Sequence, residues 1–332
     1  MTKHRVAVTV ADGYPVAMAQ VRAALAGVAE AFELPIPRRP LSADEIPVYA
    51  QHLTGVAGIL CRSGIFTREF LRALPHVRVI GVHGAGFDQV DLGAATEQGI
   101  LVVNAPGANA DSVAELVMGF IVALLRRVPE GDRHVRERGG WREDRFVGRE
   151  LRSQVLGVVG IGNVGGRVAR LAQAFGARVI TCDPYIDHTR IPAHVERVEY
   201  EDLLQRADII TYHVPLSDET RNMLDTRTLR FTKRGVLVLN TSRGGVVNED
   251  ALADGLASGH VAGAALDVFE VEPPAKSRPR VLDQPNVIVS PHIGGSTVES
   301  LENVARVAAE EIARVLRGDQ PRYPVNGQVL VR

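Results

Sequence analysis

Residues 155–185, VLGVVGIGNVGGRVARLAQAFGARVITCDPY, constrain the fold more than any other stretch of the chain. An apolar run leads into a turn that contains Gly160, Gly162 and Gly165, a helical pattern follows, and a second apolar run ends in Asp183. In such a turn the first glycine permits tight bending, the second lets the backbone approach a pyrophosphate, and the third allows close helix–strand packing. The amides and dipole of the helix N-terminus favour phosphate at the same place. The stretch therefore predicts a strand–helix–strand unit that binds a dinucleotide.

The acid at the end of the second apolar run bears on the choice of cofactor. In this position a carboxylate accepts hydrogen bonds from the ribose hydroxyls, and it repels a 2′-phosphate. We therefore expect NAD as the cofactor. The alternative is that Asp183 is a solvated residue at a strand end.

The glycine turn lies in the middle of the chain, so the residues before it need an explanation of their own. Short apolar runs alternate with helical patterns from end to end, which is typical of α/β proteins with parallel sheets. The predicted strands outside the glycine unit are 4–10, 56–60, 77–82, 100–103, 207–214, 235–240, 261–269 and 286–290.

Two longer helices are predicted where the chain passes from one group of strands to the other. SVAE at 112–115 and STVE at 296–299 both have the form of a capping box. We expect the first helix to continue to about Val128 and the second to Leu316. A shorter helix is expected after Asp91, which suits an N-cap.

These elements predict two α/β domains. A Rossmann-type dinucleotide domain, residues 104–295, is expected to be inserted into a smaller flavodoxin-like substrate domain, residues 1–103 plus 296–332. The insertion explains why the glycine turn comes late in the chain.

Composition limits the classes of partner. The chain has 332 residues, 45% of them hydrophobic, and a formal net charge of −1, so we expect neither nucleic acid nor a membrane as a partner. Segment 126–149 is rich in arginine but also carries acids, and we interpret it as a solvated, partner-facing surface. Two distant cysteines, Cys61 and Cys182, predict no disulfide framework and no metal site. The first residues run directly into a strand pattern, from which we expect a cytoplasmic protein without a signal peptide.

Three polar segments follow neighbouring strands of the second group. Their titratable residues are Arg243 in NTSRGG, Glu272 in DVFEVEPP and His292 in SPHIGGST. Because the carboxyl ends of parallel strands lie at one edge of a sheet, we expect these side chains to converge. An arginine fork can hold a carboxylate, a histidine can move a proton near neutral pH, and a neighbouring glutamate can favour the imidazolium. Each residue alone also fits a structural role, but together they predict a catalytic site.

The motifs in combination resemble those of the D-isomer-specific 2-hydroxyacid dehydrogenase family, the group that contains phosphoglycerate dehydrogenases and glyoxylate/hydroxypyruvate reductases. The resemblance extends over nearly the whole chain, from CRSGIFT at 61–67 and GAGFDQVDL at 84–92 to PVN near the end. It implies an NAD-dependent oxidoreductase that interconverts a small D-2-hydroxy acid and its 2-keto acid. It also implies that Arg243, Glu272 and His292 are the catalytic residues.

The resemblance implies further contacts with cofactor and substrate. The substrate carboxylate would be bound by the backbone N–H groups of Ala85 and Gly86, and Arg62 also fits the family's pattern for substrate binding. Asp267 would contact the nicotinamide carboxamide. The other cofactor contacts that it implies are Asn163, Val164, Asp183, Val214, Thr241 and Gly295.

Two departures from the family pattern bear on the substrate. Phosphoglycerate enzymes usually carry an arginine where Val82 stands, and many have a regulatory domain after the last helix, which we do not expect here. We therefore expect small unphosphorylated acids as substrates. A phosphoglycerate-type dehydrogenase, with Arg62 as the phosphate ligand, is the alternative. An NAD-sensing corepressor is an alternative of another class.

Three further expectations concern histidines and assembly. His213 and His83 are expected to be structural or to line the substrate site, and His83 can influence specificity because it precedes the carboxylate loop. The helix after Ser112 is apolar on several faces, and in the family it lies in a two-fold interface. We therefore expect a homodimer with Trp141 near the partner chain.

Overall fold

The protein is described by a computed structural model that covers residues 4–331, apart from the side chains of Arg138, Lys276 and Val331. Its strands are β1 (His4–Val10), β2 (Ala29–Pro35), β3 (Gly58–Cys61), β4 (Val79–Val82), β5 (Leu101–Val103), β6 (Val155–Val159), β7 (Arg178–Cys182), β8 (Val195–Arg197), β9 (Ile209–Tyr212), β10 (Val236–Asn240), β11 (Val261–Leu266) and β12 (Val287–Val289). Its helices are α1 (Met18–Ala24), α2 (Glu45–His52), α3 (Arg68–Arg72), α4 (Leu92–Glu97), α5 (Ala110–Leu125), α6 (Val128–Arg138), α7 (Asn163–Ala174), α8 (Tyr200–Arg206), α9 (Thr226–Leu229), α10 (Glu249–Ala257) and α11 (Val298–Arg317). Every predicted strand lies on an observed one.

One compact unit consists of two chain segments, Met1–Asn109 and Ser296–Arg332. Its five strands form a parallel sheet in the order β2-β1-β3-β4-β5, which is the flavodoxin-like order. Helix α11 packs on one face of this sheet. A Cβ at Gly81 of β4 would lie 2.7 Å from Cδ1 of Ile312, so glycine is needed for the helix to approach the strand this closely.

The second compact unit, Ala110–Gly295, is inserted between those two segments. Its seven parallel strands have the order β12-β11-β10-β9-β6-β7-β8. Without the edge strand β12, this is the Rossmann order read from its far end. One face of the sheet is covered by α5 and α7, whose buried residues share a core with β6. The expected Rossmann-type fold is confirmed.

The expected start of the first long helix was wrong. Helix α5 begins at Ala110, and the hydroxyl of Ser112 donates to the carbonyl of Gly294 at 2.6 Å instead of capping the helix. The end was also placed too late, because α5 stops at Leu125. Arg127 adopts a left-handed conformation, with φ of 51°, which separates α5 from α6.

The cap of the last helix lies one residue later than expected. Thr297, and not Ser296, is the N-cap of α11, and its hydroxyl accepts a hydrogen bond from the Ser300 N–H at 3.2 Å. Both side chains can cap, so the motif alone does not choose between them. The helix ends at Arg317, where Gly318 takes a left-handed conformation. The Asp91 cap of α4 is confirmed by its bond from the Ala94 N–H.

Strands β2 and β8 are absent from the predicted set. Both lie at edges of their sheets, where one side of the strand is not paired. Glu30 and Glu33 interrupt the apolar pattern of β2, and β8 has only three residues, VER. Within residues 4–331, no helix is both long enough and apolar enough to cross a membrane.

Candidate active site

The inserted unit brings together the three titratable residues that follow β10, β11 and β12. These strands are neighbours in the sheet, so their carboxyl ends lie side by side. Nδ1 of His292 lies 2.8 Å from Oε2 of Glu272. A carboxylate can only accept, so Nδ1 carries the proton of this bond and Nε2 is the ring nitrogen left for proton exchange. About half of the His292 side chain is exposed, so a small molecule can reach the ring.

Opposing effects set the protonation of Glu272. Burial raises the pKa of its carboxyl, whereas the hydrogen bond and charge of His292, the Phe269 N–H and the charge of Arg243 lower it. The net result is a pKa below the usual value. Glu272 is therefore a carboxylate at neutral pH, and Arg243 is close enough to influence it.

Arg243 lies in a loop that is fixed by the end of β10. Asn240, almost fully buried, donates from Nδ2 to the Arg243 carbonyl at 2.7 Å and accepts from the Ser242 N–H at 3.0 Å. A Cβ at the next residue, Gly244, would lie 1.9 Å from the carbonyl carbon of Phe269. Only glycine allows the backbones of the Arg243 and Glu272 loops to touch in this way.

Asp267 fixes the loop that carries His292. Its Oδ1 accepts from the Ser290 hydroxyl at 2.5 Å and the Ile293 N–H at 2.8 Å, and its Oδ2 accepts from the Gly294 N–H at 2.8 Å. The same loop is held from α5 by the Ser112–Gly294 bond. His292 itself has φ of 55°, a left-handed conformation that is costly for a non-glycine residue and is often found at functional sites.

These loop contacts were not predicted from the sequence. The resemblance assigns Asp267 to the nicotinamide carboxamide. A carboxylate has about four lone-pair positions that can accept hydrogen bonds. In the structure the loop uses three of those of Asp267, so one acceptor position remains. Ser112 and Ser290 had no assigned part in the site. Their signal in the sequence is weak, because serine is common at helix starts and strand ends.

The glycine turn has the geometry expected of a dinucleotide site. Gly160 has φ of 84°, and a Cβ there would lie 2.7 Å from the Val214 side chain. A Cβ at Gly165 would lie 2.0 Å from the Gly160 carbonyl oxygen, so α7 packs as closely as the motif predicts. At Gly162, in contrast, no described atom lies within 4 Å of the added Cβ, which leaves open space above the start of α7.

Open space at the turn continues into a cleft of about 550 Å³. Asn163, the first residue of α7, and Asp183 line it, as do Tyr185 and Arg190, which the sequence did not single out. Asp183 is held by the backbone, since its two oxygens accept from the N–H groups of Ile161 at 2.9 Å and Tyr185 at 3.0 Å. Its position at the end of β7 agrees with the prediction.

Three further observations fit a bound dinucleotide. The hydroxyl of Thr241 is buried, and none of the described residues offers it a hydrogen-bond partner, which a cofactor would supply. No described side chain caps the start of α7, and Val164 lies in the first turn of this helix. Gly295 ends the inserted unit directly after the His292 loop. These residues would hold the dinucleotide between the glycine turn and the ends of β10 and β11.

In the other unit, Arg62 and His83 follow the neighbouring strands β3 and β4. Burial and the charge of Arg62 together lower the pKa of His83 to about 3, so the ring is neutral. Arg62 Nε and His83 Nε2 are both buried, and no described residue offers either a hydrogen-bond partner. The Arg62 guanidinium lies 5.2 Å from the centre of the Tyr14 ring.

The loop after His83 is fixed so that its amides are available. Asn104 donates to the Ala85 carbonyl at 2.7 Å, and the Ala105 N–H donates to the Gly84 carbonyl at 2.9 Å. No described residue accepts from the N–H groups of Ala85 or Gly86.

His213, in the inserted unit, is hydrogen-bonded to the Thr211 hydroxyl at 2.9 Å. Burial lowers the pKa of its ring to about 3, as suits a structural residue.

Comparison with known proteins identifies the family. Residues 118–294 match the model of the D-isomer specific 2-hydroxyacid dehydrogenase, NAD binding domain. The D-3-phosphoglycerate dehydrogenase of Bacillus subtilis is 40% identical over 253 residues, 76% of this chain and 48% of that protein. The hydroxypyruvate reductase of Thermotoga maritima is 40% identical over 251 residues, 75% of this chain and 81% of that protein. A solved glyoxylate reductase from Paecilomyes thermophila has a TM-score of 0.85 at 27% identity, covering 98% of this chain and 100% of that one.

These matches agree with the resemblance found in the sequence. The chain spans about half the length of the D-3-phosphoglycerate dehydrogenases that it matches. The family model covers the glycine turn and all three residues after β10, β11 and β12. The chain belongs to the D-isomer-specific 2-hydroxyacid dehydrogenase family.

Proposed function

We propose that the chain is an NAD-dependent dehydrogenase that interconverts a small D-2-hydroxy acid and its 2-keto acid. The single observation that carries this proposal is the 2.8 Å contact between His292 and Glu272 at the edge of a sheet with an open glycine turn. Residues 104–295 would bind the dinucleotide, and the remaining segments would bind the substrate. The family membership and the names of the relatives support the same class of reaction.

Each proposed catalytic residue has a separate role in the reducing direction. When bound, NADH supplies a hydride to the keto carbon. His292 then gives the Nε2 proton to the carbonyl oxygen, while Glu272 holds Nδ1 and stabilises the imidazolium. Arg243 binds the substrate carboxylate and stabilises the developing charge on the oxygen.

For the substrate we propose small unphosphorylated acids such as glyoxylate, pyruvate or hydroxypyruvate. The amides of Ala85 and Gly86 would bind the carboxylate. Val82 is fully buried and carries no charge, and His83 is neutral, so of residues 62, 82 and 83 Arg62 alone offers a cation for a second substrate group. The double negative charge of a phosphate group would be better balanced by two cations at these strand ends than by one, which favours an unphosphorylated substrate.

A phosphoglycerate-type dehydrogenase is the second candidate. The buried Arg62 Nε without a described partner favours it, and so do the names of several relatives. A panel of 2-keto acids assayed with NADH separates the two candidates. A kcat/KM that is higher for 3-phosphohydroxypyruvate than for all unphosphorylated acids would favour the second candidate.

The same assay tests the alternative of an NAD-sensing corepressor. Such a protein binds NADH without consuming it, so binding in the absence of turnover on every acid would favour it. The pairing of His292 with Glu272 supports turnover instead, because NADH sensing alone does not need a positioned proton donor.

We further propose a cytoplasmic homodimer. In the single chain, the residues Trp141 and Val147 are both 78% exposed, in a segment that also exposes Val128 and Val135. Such an apolar surface is more stable when covered by a second copy. Light scattering at micromolar concentration should give twice the mass of the chain, and a monomer would contradict the proposal.

A further inference from the structure

Glu249 is the first residue of α10 and has no role in the site as described so far. Its Oε1 accepts a hydrogen bond from the backbone N–H of Glu270, at 2.6 Å. Glu270 lies in the loop after β11, two residues before Glu272. The bond therefore joins the start of a helix to the loop that carries the partner of His292.

The start of α10 is also connected to Arg243. The chain runs from Arg243 through a short turn at Gly244–Val246 to Asn248, which caps α10 by accepting from the Ala251 N–H at 2.9 Å. At Gly244 this stretch touches the backbone of the Glu272 loop. The Glu249 bond is a second attachment between the two loops.

On its outer side the Glu272 loop is open to solvent. Glu270 is exposed, and the side chain of Val271 is 42% exposed. Inside the loop, Oε1 of Glu272 accepts from the Phe269 N–H at 3.2 Å, while Oε2 bonds His292. The orientation of Glu272 therefore depends on how the backbone from Phe269 to Glu270 is held.

Glu249 occupies a position that disfavours a carboxylate. Burial raises the pKa of its side chain, the charges of Glu270 and Asp250 raise it further, and only the bond from the Glu270 N–H opposes them. The interaction with the helix dipole does not require this residue, because the exposed Asp250 in the same turn provides it. What Glu249 adds is the bond to the loop.

We propose that Glu249 is a positioning residue, whose bond to the Glu270 N–H keeps Glu272 within hydrogen-bond distance of His292. The inference rests on the proposed roles of Glu272 and His292 in reduction. Glu249 itself does not act on the substrate.

Three variants test the proposal. Glu249→Ala removes the bond, Glu249→Gln keeps an accepting Oε1 without the charge, and Asp250→Ala is the matched control that removes an acid from the same helical turn. We expect Glu249→Ala to lower kcat by about 10- to 100-fold, the scale of a misplaced catalytic group, with the Kd for NADH unchanged. Glu249→Gln and Asp250→Ala should remain close to wild type. Thermal unfolding of each variant identifies any that fail to fold.

A second measurement needs no substrate. Diethyl pyrocarbonate reacts with unprotonated imidazole nitrogen, so peptide mass spectrometry can follow its rate of reaction with His292 at neutral pH. Loss of the Glu272 contact should speed this reaction severalfold in Glu249→Ala, with wild-type rates in the other two variants. Equal rates in all proteins, or a Glu249→Gln variant as altered as Glu249→Ala, would overturn the proposal. If the wild type reduces no 2-keto acid, the proposed function fails, but the labelling still decides whether Glu249 positions the pair.

Discussion

At His292 one ring nitrogen is held by a carboxylate, and the other is the one proposed to exchange a proton with the substrate. The loop around the ring is fixed by Asp267, which follows β11, and by Ser112 from α5. A proton donor in so defined a position needs little rearrangement when the substrate binds.

Replacing His292 is expected to remove proton transfer and leave cofactor binding intact. We expect His292→Ala to lower kcat for reduction by about 10²–10⁴, the usual contribution of a positioned general acid. Arg243→Ala should instead worsen both KM and kcat, because the guanidinium binds the ground-state carboxylate as well as the developing charge. Steady-state kinetics measures both variants. More than about a tenth of wild-type turnover in His292→Ala, with hydride transfer rate-limiting, would place the proton donor elsewhere.

The charge on Glu272 predicts a pH dependence. Its pKa lies below the usual value, so the carboxylate is present throughout the neutral range, 2.8 Å from Nδ1 of His292. We expect this charge to favour the imidazolium that gives its proton to the substrate, so reduction should decline as pH rises. Glu272→Gln removes the stabilising charge, so the decline should move to lower pH in a kcat/KM profile, with NADH binding nearly unchanged. A decline at the wild-type pH would show that the carboxylate does not support the imidazolium.

The convergence of the proposed catalytic residues at one sheet edge could be predicted from the sequence, but most of the residues that hold them could not. Arg243, Glu272 and His292 follow strands with a clear apolar pattern, and parallel strands place such residues at one edge. The hydrogen bonds that Glu249 accepts from the Glu270 N–H and Asp267 accepts from the Gly294 N–H join residues 21 and 27 positions apart. They depend on loop conformations that strand patterns do not specify.

The glycine turn between β6 and α7 is the element proposed to bind the cofactor. Its three glycines differ in what surrounds them, and this difference can be tested. An added Cβ meets the Gly160 carbonyl oxygen from Gly165, whereas from Gly162 it enters open space.

Two alanine substitutions should therefore behave differently. Gly162→Ala should fold with nearly wild-type stability but bind NADH more weakly, since the methyl group takes the place of the pyrophosphate. Gly165→Ala should lower the free energy of unfolding, because α7 can no longer pack on the turn. Thermal unfolding and NADH fluorescence titration measure the two effects. Wild-type NADH affinity in Gly162→Ala would show that the pyrophosphate lies elsewhere.

Helix boundaries illustrate why element ends are harder to predict than elements. Both long helices were expected from serine-based capping boxes, yet α5 starts two residues before Ser112 and α11 is capped by Thr297. In the first case the bond to Gly294, distant in sequence, takes the serine hydroxyl. In the second, two adjacent residues can both cap, and only the backbone conformation decides.

At the scale of the whole molecule, the order of the strands explains the place of each proposed site. Both sheets are parallel, so the polar residues that follow their strands collect at one edge of each sheet. The inserted Rossmann-type unit places Arg243, Glu272 and His292 at such an edge. The other unit places Arg62, His83 and the Ala85–Gly86 amides at the equivalent edge of its own sheet.

Transfer of deuterium from labelled NADH tests the proposed hydride transfer and its stereochemistry. The wild-type protein is incubated with NADH that carries deuterium at the transferred C4 position and with pyruvate or hydroxypyruvate, and the product is analysed by NMR and chiral chromatography. We expect a D-2-hydroxy acid with deuterium at C2, formed about 10²–10⁴ times more slowly by His292→Ala. A product of L configuration, deuterium at no position of any product, or undiminished transfer by His292→Ala would contradict it.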